Sequence, residues 1–155
     1  MNQELSRLAA QINLDEPPCE SLRLAFGLAC VQRAEHLLED PEAIRCLAVF
    51  KSFVEGKADR AALAQAAQKV AAVAGSHRGS NSIDGSAHAA VSATYALANA
   101  LAGRALEAAG YAAYACVYGY GGYAVADPSA FEPEHSWQVQ QLKALLALHP
   151  APCSA

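Results

Sequence analysis

Residues 87–109 read AHAAVSATYALANALAGRALEAA and residues 111–126 read YAAYACVYGYGGYAVA, a tract in which alanine, glycine and tyrosine replace almost every charged residue. Alanine carries almost no side-chain entropy into a helix and is depleted in strands, so the tract predicts two close-packed helices, or one long helix broken near Gly110. From Ala61 to Ala126 the charged residues are Lys69, Arg78, Asp84, Arg104 and Glu107 alone. Such a segment belongs at the centre of a bundle. The 19 residues from Ala108 to Ala126 carry no charge, and Val117 and Val125 are their only strong hydrophobes. Because alanine contributes little to bilayer insertion, the stretch reads as a packed core helix and not as a membrane span.

The same composition extends outward. The chain has 155 residues, of which 37 are alanine, with 54% hydrophobic and 17% charged residues, enough apolar side chain for one core and too much for a disordered chain. The expected fold is all-α, a compact single-domain helical bundle of about six to seven helices over residues 1–155. Residues 1–18 form an N-terminal helix and turn, and residues 150–155 a flexible tail. A first helix fits Asn2 to Ile12. Ser21 caps a second with Leu22, Phe26, Ala29, Arg33 and Leu37 on one face. Asp40-Pro41-Glu42 is a helix start, with Ile44, Leu47, Phe50 and Val54 in a stripe that Gly56 closes. Asp59 caps a fourth helix carrying Leu63, Ala67, Val70 and Ala74, ended by Gly75. The glycine-rich run from Gly75 to Gly85 is the one obvious loop, and a last helix starts near Pro133 with Val139, Leu142, Leu145 and Leu146 on one side. Gly119, Gly121 and Gly122 predict fraying of the preceding helix at Tyr118 in preference to the alternative, a close helix crossing at glycine.

A formal charge of −4 and a pI near 5.7 leave no electropositive surface to neutralise phosphates, so nucleic acid and anionic membranes are not expected partners. Five cysteines, odd in number and without C-x-x-C spacing, together with an N-terminus that lacks an apolar leader, point to the cytoplasm. No two of the five histidines stand at i, i+3 or i, i+4, so no metal or other cofactor is expected. His88 shares a face with Val91, Tyr95, Ala98 and Ala102 and reads as a core histidine. His36 and His135, beside Glu35 and Glu134, read as surface positions. Cys116 across from His88 would be a buried thiol with a raised pKa and no orienting carboxylate. The Gly75–Gly85 loop lacks the phosphate-loop pattern. Catalysis is therefore not expected.

Recognition features remain. Tyr111, Tyr114, Tyr118, Tyr120 and Tyr123 place five of the six tyrosines within thirteen residues. The first three, at i, i+3 and i+7, read as interhelical packing, whereas Tyr120 and Tyr123, with Asp84 in the loop, are the candidate partner-binding residues, since tyrosine offers a large contact area with few torsions to freeze.

The segment Glu134-His135-Ser136-Trp137-Gln138-Val139-Gln140-Gln141-Leu142 resembles the closing helix of a bacterial all-helical immunity-protein family of interbacterial competition, which ends in an E-x-x-W-Q-x-x-x-L pattern. Cys30 to Leu38, the Phe53-Val54-Glu55-Gly56-Lys57 connection and Ala87-His88-Ala89-Ala90 are similar to its other parts, so the resemblance spans about Leu22 to Leu146. The resemblance implies an antitoxin that binds a cognate toxin and occludes it, without catalysing a reaction. The alternatives are a helical sensor holding a ligand near His88, Tyr95 and Arg104, and a metal-assisted enzyme.

Overall fold

The structure, a computed structural model, describes residues 2–76, 86–121 and 126–149. Among these residues there are seven α-helices and no strand: α1 (Gln3–Gln11), α2 (Glu20–Arg33), α3 (Pro41–Val54), α4 (Arg60–Ser76), α5 (Ser86–Leu101), α6 (Ala105–Tyr120) and α7 (Glu132–Leu148). The all-α bundle read from the alanine content is the fold that forms. None of the described helices is long and apolar enough to cross a membrane.

Short polar side chains start the helices. Asn2 Oδ1 accepts from the Leu5 amide at 3.1 Å, Asp40 Oδ1 from Glu42 at 2.8 Å, and Asp59 Oδ1 from Ala62 at 2.8 Å, each satisfying an amide that has no partner inside its helix. Three helices end alike, with Asn13, Gly56 and Gly103 at φ +55°, +78° and +78°. The next amide then reaches back five residues, Leu14 to Ala9, Lys57 to Ser52 and Arg104 to Asn99, at 3.0, 2.7 and 2.9 Å. A left-handed residue is needed for that reversal, and glycine adopts it without strain.

Gly103 therefore sets the α5/α6 break, and the expected break near Gly110 is corrected: Gly110 lies inside α6 on its exposed side. α2 also stops at Arg33, short of Leu37. The chain there tightens into a 3-10 turn, Glu35–Leu37, that leads to the Asp40-Pro41 start. α6 runs to Tyr120, two residues past the expected fraying at Tyr118. A Cβ at Gly119 would sit 3.4 Å from Leu37, so this glycine lets the last turn of α6 lie on that 3-10 turn.

α5 packs against α2, α3, α4 and α6 and is the central helix. Its buried Ala89, Ala93, Ala96 and Ala100 present little bulk, which permits close axial approach. The closest crossing is at Gly27 of α2, where an added Cβ would lie 3.1 Å from Ala100 Cβ. Phe26, Phe50, Leu5, Leu22, Leu97 and Leu142 fill the remaining core. The buried face of α3 runs through Ala43, Cys46, Leu47 and Phe50, so Ile44, expected in the core stripe, turns outward and is 48% exposed.

Candidate functional site

Two polar residues of α7, Glu134 and Gln138, face inward. Glu134, whose neighbour His135 was the one expected at the surface, is 2% exposed, and both its oxygens are taken by Arg33 of α2, Nε to Oε2 at 2.7 Å and Nη2 to Oε1 at 3.3 Å. The guanidinium also lies 4.6 Å from the Trp137 ring centroid. One turn on, buried Gln138 donates from Nε2 to the Ala109 carbonyl of α6 at 2.8 Å and accepts from Asn2 Nδ2 at 3.3 Å. Asn2 donates to the His135 carbonyl as well. Glu134, Trp137 and Gln138, the core of the E-x-x-W-Q pattern, thus tie α7 to α2, α6 and the N-terminus. Their geometry serves the scaffold, since a buried carboxylate is tolerated only with such a partner.

Beside this tie is an open cleft of about 160 Å³ lined by Arg33, His36, Cys116, Gly119, Tyr120 and Glu134. A histidine, a thiol and a carboxylate do share a wall here, although the sequence spacing had offered Cys116 no orienting carboxylate. Their chemistry runs against nucleophilic catalysis. Burial, reinforced by the Glu134 charge, pushes the Cys116 thiol up to about 11, and Sγ donates to the Arg33 carbonyl at 3.7 Å. A thiol held protonated is not a nucleophile. Burial raises Cys30 as well. Among the described residues no group of three or more His, Cys, Asp and Glu is placed to hold a metal ion.

The outer face of the α5/α6 hairpin is a row of rings. Tyr95 stacks on Tyr111 at 5.3 Å between centroids, and His88 stacks on Tyr118 at 5.2 Å. Each pair is equidistant in sequence from Gly103, as an antiparallel hairpin turning at that glycine requires. Tyr114 tilts against Tyr118 at 6.0 Å and meets Phe131 edge-on at 5.0 Å, and Phe131 in turn lies 5.7 Å from His135. The result is a continuous line from α5 across α6 to the start of α7. It remains open to solvent: Tyr111 is 40% and Tyr114 45% exposed, and His88 is exposed as well. The expected core roles of His88, Tyr111 and Tyr114 are therefore corrected. A helix buried on one side still has another, and the alanines of α5 and α6 fill the inner side.

Tyr120, a candidate contact residue, is 77% exposed at the end of α6 and overhangs both the cleft and a neighbouring groove of about 380 Å³ with His36, Glu39 and Tyr118 in its walls. Asp84 and Tyr123, the other candidates, lie outside the described residues. Sequence reasoning missed the ring row because a break placed at Gly110 hides the pairing that Gly103 dictates. No family model, curated protein or solved structure matches this chain.

Proposed function

We propose that the chain is an immunity protein that binds a cognate bacterial toxin and neutralises it by occlusion, docking it on the α5/α6 ring row. The row itself carries this reading. Large rings on rigid helices, with Ser92 and Asn99 half-buried on the same side of α5, give contact area and adaptable polar groups at little entropic cost, the properties of protein-binding surfaces. The protonated Cys116 favours binding over chemistry. Cys30, Cys46 and Cys116 are free and buried, which suits action in the cytoplasm. A sensor built around His88, Tyr95 and Arg104 is less well supported. His88 and Tyr95 stack in the outer row, and Arg104 stands exposed at the start of α6.

Co-expression with the product of the adjacent gene tests the proposal. Rescue of growth, with co-purification and no turnover of the toxin or its substrate, is the expected result. Absence of any complex, or rescue accompanied by turnover, overturns it.

A further inference from the structure

Resting on that reading, we infer that the α5/α6 ring row receives a cationic surface of the partner protein, one presenting arginine or lysine side chains to the tyrosine faces. The faces of exposed phenol rings carry negative potential and attract guanidinium and ammonium groups. From Glu107 onward, the charges along the row are acidic. Glu107 lies on the α6 stripe that continues through Tyr111, Tyr114 and Tyr118, and is exposed. Asp127 and Glu132 flank Phe131 and are exposed too. Glu39 lines the groove beneath Tyr118 and Tyr120.

Opposing charges are scarce nearby. Residues 105–142 contain three exposed acids, Glu134 being buried on Arg33, and neither lysine nor arginine. Arg33, which lines the cleft with Tyr120, is spent on Glu134, and Arg104 stands at the hairpin turn, beyond Glu107. A second copy of this chain would bring the same acids against the same acids, which costs binding energy, whereas a basic surface gains from every one of them. Charge complementarity therefore selects the occupant.

The test uses the full-length protein, isotopically labelled, and two blocked helical peptides of identical sequence, one with four arginines and one with citrulline at those positions. Citrulline keeps the shape and hydrogen bonding and removes the charge. The arginine peptide is expected to shift the ring resonances of Tyr111, Tyr114 and Tyr118 and to bind at least tenfold tighter than its citrulline counterpart. Tyr114→Ala should weaken it about fivefold and Tyr114→Phe should not. Tyr114→Lys, at an exposed site that tolerates the change, should abolish it. Equal binding of the two peptides, shifts that map elsewhere, or no shifts at all would overturn the inference. The two readings fail separately. Arginine-peptide docking at the row without rescue by co-expression removes the toxin reading alone. Rescue that persists in Tyr114→Lys, with no peptide docking, removes the cationic occupant alone.

Discussion

Arg33 closes on Glu134 with two parallel hydrogen bonds of 2.7 and 3.3 Å while its guanidinium covers the Trp137 ring at 4.6 Å. The pair is lopsided. The Glu134 side chain is 3% exposed, that of Arg33 35%, so one partner depends on the other for all its solvation and the other can still reach water.

That asymmetry predicts unequal mutants. Arg33→Ala strands a buried carboxylate and should cost about 3 kcal/mol or more, whereas Glu134→Ala leaves an arginine that can turn outward and should cost about 1–2 kcal/mol. Urea unfolding of both variants at pH 7.5 checks the order. A larger loss for Glu134→Ala would refute the account.

Two glycines in helices should respond oppositely to alanine. Gly27→Ala sets a Cβ 3.1 Å from Ala100, whose own Cβ cannot swing away, so overpacking of about 1–3 kcal/mol outweighs the gain of about 1 kcal/mol in helix propensity. Gly110→Ala meets nothing within 4 Å, so the same gain should appear undiminished as a Tm rise of roughly 2–4 °C. Calorimetry on the two variants decides the matter.

The buried thiols should be silent in the folded protein. With Cys153→Ser, which removes the cysteine outside the described residues, a disulfide reagent at pH 8 should label none of Cys30, Cys46 and Cys116 until denaturant is added, and then all three. Rapid labelling of Cys116 in the native state would revive a nucleophilic role.

His135 should titrate below the usual 6.5, because burial disfavours its charged form more than Glu134 favours it. The unfolded chain then takes up the proton first. Its contribution to stability is fully present above about pH 6.5 and is lost as pH falls through that point toward the lower folded value. A midpoint at or above 6.5 in an NMR titration contradicts this. His135→Gln should flatten the stability profile in the same window.

Much of this was legible in residue order. Asp40-Pro41-Glu42 and Asp59 start α3 and α4 where their side chains say they should, because a cap bonds amides only two or three residues away. The misplaced break at Gly110 arose because Gly103 was not weighed as a helix end. The choice of Gly103 depends on a carbonyl five residues earlier accepting the next amide.

The candidate site was less legible, and for a different reason. Five clustered tyrosines were visible, but which of them face water depends on how α6 is rotated against α5, and that rotation is settled by alanine packing on the inner side. The burial of Glu134 was not legible either, since nothing local announces an arginine 101 positions away.

By itself, then, the amino-acid order determined an all-helical bundle with the starts of α1, α3 and α4, an alanine-lined centre and an acidic balance, all consequences of propensity, capping and composition acting over a few residues. Only the tertiary structure decided that Arg33 meets Glu134, that the thiol beside them stays protonated, and that the tyrosines form an outward row, because burial and pairing exist only once distant helices have packed.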